Sequence, residues 1–266
     1  MSGASESFDT LGVLHGKSVL VTRPEEDDPR LSRLLMNHGA LVYLVPTIQI
    51  TPVKSWEAFD HVVQNELPRL DWLVFTSRNA VRFLGQRLKA LQIEFSALRH
   101  LQMACLGKTT AAAVCEQGGS VELIPDKSSS EGLAASFSRQ NLHGQRFWMP
   151  GAKQPREMLS EYLQEQGAEV IQTPVYNTDC PTLPSSFLTE LVTSGRLDWL
   201  TFCSPSAVNN FVRLTVPQVV LAKFKTAVAC IGPTTRQALL DHGFCVTVTA
   251  PEQTLAGLVQ AMAVPS

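Results

Sequence analysis

Small hydroxyl residues recur in this chain just after short apolar runs and just before helical ones. Thr76-Ser77-Arg78-Asn79 and Cys203-Ser204-Pro205-Ser206 are two such turns; Gly107-Lys108-Thr109-Thr110 and Gly232-Pro233-Thr234-Thr235 are two more. Ser128-Ser129-Ser130-Glu131 and Pro150-Gly151-Ala152-Lys153 add two further polar turns. A Ser or Thr at such a place caps the helix that follows, and the helix start offers unpaired N–H groups with a partial positive end. The chemistry to expect is therefore anion binding without a large net charge. Each turn taken alone is equally an ordinary helix cap, and the recurrence of the turns favours neither reading.

Stronger motifs are missing. Gly107-Lys108-Thr109 resembles the end of a phosphate-binding P-loop, but its earlier glycine would fall at Gln102, and the second copy carries Pro233 in place of the lysine. The first strand is followed by Val21-Thr22-Arg23-Pro24-Glu25 rather than a Gly-rich dinucleotide fingerprint. No histidine among His15, His38, His61, His100, His143 and His242 has a metal-ligand spacing partner, and no G-x-S-x-G elbow is present. The expectation is a chemistry needing neither a metal nor a cofactor nor a strong nucleophile. His15 and His143 each precede a glycine at a strand entrance, where a structural role is expected.

The elements that must position these turns come from a duplication. Leu70-Asp71-Trp72-Leu73-Val74-Phe75-Thr76-Ser77 returns as Leu197-Asp198-Trp199-Leu200-Thr201-Phe202-Cys203-Ser204, an offset of 127 residues. Ala104-Cys105-Leu106-Gly107 returns as Ala229-Cys230-Ile231-Gly232 at 125, and His15-Gly16, Gly39-Ala40 and Pro46 return as His143-Gly144, Gly167-Ala168 and Pro174 at 128. So long a period means two duplicated domains. Each half alternates strand and helix. In the first, strands are expected at 18–22, 41–45, 71–75, 101–106 and 120–124, with helices at 29–37, 56–64, 79–91, 109–117 and 131–137. Continuous apolar strands belong in parallel sheets covered on both faces. The fold class is α/β, with two flavodoxin-like domains.

Composition bounds the rest. The 266 residues are 44% hydrophobic and 17% charged, as in a globular protein, and a net charge of −2 provides no bulk field for nucleic acid. The most apolar stretch, 219–231, is interrupted by Lys223 and Lys225, so no membrane span is expected. Residues 1–14 hold no Lys or Arg and read as a short disordered lead-in rather than a targeting peptide. Six cysteines without a C-x-x-C pair read as buried hydrophobes in a reducing cytoplasm.

The ordered set resembles uroporphyrinogen-III synthase. It comprises Asp71 to Ser77 with Ala80-Val81, Ala229 to Thr235, Pro150-Gly151 with Arg156-Glu157, Gly167 to Val170 leading to Pro174-Val175-Tyr176, and Thr254 to Leu258. The resemblance spans residues 16–260. It implies cyclisation of hydroxymethylbilane, a linear tetrapyrrole bearing acetates and propionates, with inversion of its last ring. The family's route loses the hydroxyl as water to an azafulvene, forms a spiro intermediate and rearranges. Since the substrate closes unaided to the symmetric type I isomer, the catalyst's task is chiefly orientation.

Carried onto this chain, the resemblance implies substrate contacts at Ser77, Thr109, Thr110, Ser129, Gly151, Ser204, Ser206, Gly232, Thr234 and Thr235, with the basic residues Arg78, Lys108, Lys153 and Arg156 ranked lower. Tyr176 is the catalytic candidate. It corresponds to Ile48 at offset 128, so it breaks the repeat, and similar enzymes place a tyrosine after this Pro-Val pair. Packing at a domain edge is the other reading of Tyr176; Tyr43 and Tyr162 are expected to pack. The resemblance also implies that the opening units are exchanged: residues 1–47 plus 179–266 form one domain and 48–178 the other. Two extended linkers, near 47–52 and 175–181, would form a hinge. A monomer is expected. A non-catalytic two-domain binder remains an alternative, and a nucleotide-sugar transferase is disfavoured for want of a Gly-rich phosphate loop.

Overall fold

A computed structural model describes residues 14–25, 29–154, 157–183, 185–215 and 226–264. The expected lead-in up to residue 13, Arg156, and residues 219–225 of the apolar stretch lie outside them. The chain opens with β1 (Ser18–Val21), α1 (Arg30–Asn37), β2 (Leu41–Leu44) and β3 (Gln49–Pro52). Then follow α2 (Glu57–His61), β4 (Trp72–Phe75), α3 (Arg78–Ala90), β5 (Gln102–Cys105), α4 (Lys108–Glu116) and α5 (Ser130–Phe137). Next come β6 (Arg146–Ala152), α6 (Met158–Glu165), β7 (Glu169–Asp179), α7 (Ser185–Thr193), β8 (Trp199–Phe202) and α8 (Pro205–Leu214). β9 (Ala227–Cys230), α9 (Pro233–Asp241), β10 (Val248–Thr249) and α10 (Leu255–Ala263) complete it. The chain packs as two compact units, a central one of Ile50–Thr178 and a terminal one of Met1–Gln49 with Asp179–Ser266.

In the central unit the sheet order is β3-β7-β6-β4-β5, and β7–β6, β6–β4 and β4–β5 are parallel. β4 is buried throughout. Its alternate residues enter two cores: Leu73 and Phe75 pack with Phe59, Leu84, Val114 and Trp148 on one face, and Trp72 and Val74 with Phe137, Phe147 and Leu163 on the other. Period-two side chains with apolar residues on both faces make a sheet sandwiched by helices.

In the terminal unit the order is β10-β9-β8-β1-β2, every pair parallel. Val19 and Val21 pack on Leu31 and Leu35 of α1 and on Leu258 and Met262 of α10. Phe202 meets Phe211 edge-on, with ring centroids 5.3 Å apart.

The duplicated residues make duplicated contacts at the strand entrances. Asp71 Oδ2 accepts the Arg146 N–H at 2.8 Å, and Asp198 Oδ2 accepts the Ser18 N–H at 2.9 Å. Each carboxylate thus ties one strand entrance to its neighbour's first residue. Gly39 (φ +80°) and Gly167 (φ +82°) follow helix ends in the left-handed region. A Cβ there would come within 2.8 Å of the His15 ring and 2.9 Å of the His143 ring respectively. The two repeated histidines therefore floor the two repeated glycines.

Four expectations are corrected. The strand at 120–124 shrinks to one bridge, Ala104 to Leu123: Pro125 has no N–H, and the Glu122 carboxylate itself takes the Met103 N–H. The helix at 56–64 is α-helical only over Glu57–His61; a π-helical turn (Val62–Glu66) and a 3-10 turn (Leu67–Arg69) follow. β2 is not covered on both faces. As the edge strand it leaves Leu41, Tyr43 and Leu44 exposed, so Tyr43 is not a packing residue. Of the cysteines, Cys105 and Cys230 are buried, but Cys115 and Cys245 are exposed.

Candidate active site

The carboxyl ends of β4, β5, β6 and β7 bring most of the central-unit turns together. A cleft of about 430 Å³ lies there, walled by Val74, Thr76, Ser77, Leu106, Gly151 and Tyr176 among others. A second, of about 400 Å³, is lined by Thr76, Ser77, Arg78, Leu106, Gly107, Lys108, Thr109, Thr110 and Ser128. Thr76, Ser77 and Leu106 belong to both, so Ser77 stands on the ridge between them.

Ser77 holds that place because it caps α3. Its backbone is extended, and its Oγ accepts the Ala80 N–H at 3.1 Å. The same Oγ lies 3.1 Å from the Tyr176 hydroxyl. Tyr176 reaches it from β7, after a register irregularity at Gly151/Ala152 that leaves Val175 and Tyr176 both buried. Its ring stacks on Phe83 of α3, with centroids 6.0 Å apart and an angle of 22° between planes.

α4 begins differently. Its cap is Gly107, which offers no side chain to the first N–H groups. A Cβ at Gly107 would come within 2.8 Å of Ser128 Oγ, so the close approach of that serine requires glycine. Lys108 and Thr109 are exposed beside this open helix start. The second cleft thus combines N–H groups, hydroxyls and two cationic side chains, which suits a carboxylate. Under it, burial pushes the Cys105 thiol up to about 12, with Cys115 and Glu122 adding to the effect. That thiol stays protonated at neutral pH and is no nucleophile.

Of the residues singled out in the sequence, Ser77, Arg78, Thr109, Thr110, Gly151 and Tyr176 line one cleft or both. Ser129 and Lys153 do not. Ser129 Oγ caps α5 through the Gly132 N–H at 3.1 Å, and exposed Lys153 donates its backbone N–H to Tyr176 O at 2.9 Å. Ser204, Ser206, Gly232, Thr234 and Thr235 belong to the terminal unit. There Ser204 Oγ caps α8 through the Ala207 N–H at 3.2 Å, Gly232 caps α9, Ser206 and Thr234 are exposed, and Thr235 is buried.

The polar turns named in the sequence also supply Thr76, Ser128 and Ser130 to the cleft walls, whereas Gln154, Gln172 and Thr178 were not singled out there. For Gln172 and Thr178 a signal existed, since residues two and four apart along a strand share a face with Tyr176. For Gln154 there was none.

Known proteins are similar to this chain in sequence and in fold. The family described as Uroporphyrinogen-III synthase HemD (HEM4) matches residues 29–260. The chain is 34% identical over 258 residues to the uroporphyrinogen-III synthase of Synechococcus elongatus, across 94% of this chain and 95% of that one. To the uroporphyrinogen-III synthase of Chlorobaculum parvum it is 29% identical over 234 residues, across 87% and 92%. The crystal structure of uroporphyrinogen-III synthetase from Helicobacter pylori shares the fold, with a TM-score of 0.65 at 18% identity over 92% of this chain and 97% of that one. With the family matched along most of its length and a relative aligned along nearly all of both chains, this chain belongs to the uroporphyrinogen-III synthase family.

Proposed function

We propose that the chain closes hydroxymethylbilane to uroporphyrinogen III in tetrapyrrole biosynthesis, inverting ring D and releasing water, with the central-unit clefts taking part in binding. The observation that carries the site reading is the Tyr176 hydroxyl in the wall of one cleft, hydrogen-bonded to Ser77 on the ridge beside a second cleft that is cationic at its rim. In this reading the phenol gives its proton to the departing hydroxyl, and the C–O bond breaks as the pyrrole nitrogen supplies the electron pair. Water and a cationic azafulvene result. The ring-carbon proton released when the closed macrocycle regains aromaticity restores the phenol. Carboxylates of the substrate meet Arg78, Lys108, Thr109, Thr110 and the N–H groups at the start of α4, which hold one conformation of a flexible chain. The turns at Ser204 and Gly232 offer carboxylates the same kind of helix start.

Each unit is further read as a flavodoxin-like domain, 1–47 plus 179–266 and 48–178, joined by extended linkers near 47–52 and 175–181. The strand order β2-β1-β8-β9-β10 supports this for the terminal unit, being the doubly wound order 2-1-3-4-5. A cytoplasmic monomer completes the reading, and six free cysteines suit a reducing compartment.

The test is to supply fresh hydroxymethylbilane and separate the uroporphyrin isomers after oxidation. Type III formed faster than the enzyme-free closure is the expected result. Type I alone, at the enzyme-free rate, overturns the proposal and leaves a binder.

A further inference from the structure

Ser77 Oγ has two partners among the described residues, the Ala80 N–H and the Tyr176 hydroxyl. The N–H can only donate. The serine's own proton therefore has one protein acceptor, the phenol oxygen. A hydroxyl already accepting from a helix start is polarised to donate. In that arrangement the phenol's proton is directed away from Ser77, and the walls of the cleft are where it goes.

The repeat supplies the contrast. Offset by 127, Ser77 corresponds to Ser204, Ala80 to Ala207 and Phe83 to Asn210; offset by 128, Val175 and Tyr176 correspond to Thr47 and Ile48. Ser204 keeps the cap. In place of the Phe83–Tyr176 stack, Asn210 Nδ2 donates to Thr47 O at 2.8 Å, and Thr47 Oγ1 donates to Ala207 O at 3.0 Å. The cap is thus common to both copies, whereas the aromatic shelf and the phenol occur together in one copy.

We infer that Ser77 and Phe83 are positioning residues for Tyr176: Ser77 donates to the phenol oxygen and turns the phenol's proton into the cleft, while Phe83 fixes the plane of the ring. The inference rests on the reading of Tyr176 proposed above and deepens it. Ser77 also stabilises the negative charge that develops on the phenol oxygen as its proton leaves.

A double-mutant cycle on the full-length enzyme tests this, scored by kcat, KM and type III fraction. Ser77→Ala is expected to lower kcat about tenfold with KM within about twofold, and to lower it no further in a Tyr176→Phe background. Phe83→Leu, which keeps the apolar bulk, should lower kcat about threefold and likewise lose its effect beside Tyr176→Phe. Ser77→Thr, which keeps both the cap and the hydroxyl, should restore kcat. Loss of the cap lowers Tm equally in both backgrounds, so folding and coupling are read separately.

An equal kcat loss from Ser77→Ala in both backgrounds overturns the coupling alone. A raised KM at unchanged kcat overturns it too and makes Ser77 a substrate contact. Full kcat in Tyr176→Phe removes the tyrosine's role and the positioning together.

Discussion

The two copies of one unit differ in which side chains they place where their sheets end. In the terminal unit the polar side chains at the strand ends are turned inward: Thr22 Oγ1 donates to Thr201 O at 2.7 Å, Thr201 Oγ1 to Leu20 O at 2.9 Å, and Asn210 to Thr47 O. The central unit replaces three of these residues with apolar ones: Val74 stands at the position of Thr201, Val175 at that of Thr47, and Phe83 at that of Asn210. Its hydroxyls, Ser77 and Tyr176, lie on a cleft wall instead. Polar groups satisfied internally rigidify an end of a sheet, while an apolar bed with a polar rim leaves hydroxyls available to a ligand. One ancestral unit has thus provided both a closed strand end and an open one.

Exchanging the residues is the sharpest way to break this contrast. Phe83→Asn puts an amide into an apolar bed, removes the shelf under Tyr176, and should destabilise the protein by about 4 kcal/mol, read by urea unfolding. Turnover should fall with it at temperatures where the variant stays folded. A stable, fully active Phe83→Asn enzyme would mean the two strand ends are interchangeable. Asn210→Ala tests the closed copy. It strands the Thr47 carbonyl and should cost about 1–3 kcal/mol, with kcat unchanged in the folded enzyme.

Where the copies agree, substitutions should agree as well. Gly39→Ala and Gly167→Ala each force a Cβ into the left-handed region and onto a histidine, so each should lower stability by at least about 1–2 kcal/mol, measured as paired Tm shifts. Unequal shifts would show that the His15 and His143 floors are not equivalent.

The smallest effect concerns pH. The Ser18 N–H, and after it Lys17, hold the Asp198 carboxyl below the usual carboxylate range. A carboxyl so depressed stabilises the fold above its unfolded pKa, and this contribution disappears as pH falls through the folded value. The side chain is about a third exposed, at 36%, so Asp198→Asn should cost under about 1 kcal/mol at pH 7. The difference from the parent should close in acid unfolding curves as pH falls below the ordinary carboxylate range. A gap that persists there would assign the effect to packing rather than charge.

Much of the site's framework was legible in particular residues. Ser77 and Ser204 announce themselves as caps because a hydroxyl after an apolar run and before a helical one has one favourable place to go. Tyr176 stood out because it interrupts the repeat. Gln154 did not stand out, since polar residues in turns are common and its place in the wall depends on strands distant in sequence. Phe83 reads in sequence as one more apolar residue on a helix face. Its stacking on Tyr176 appears only when β7 is placed in the same sheet as β4.

Strand and helix order, the caps, the repeated residues and the family follow from the sequence alone, because they rest on local patterns. Which strands share a sheet was decided by the tertiary structure. β1 lies beside β8, and β4 beside β6. The segments around β4 and β8 are nearly the same sequence, so no local preference tells β1 which of them to join. The choice rests on non-local packing and chain connectivity, and with it goes the choice of which serine meets the tyrosine.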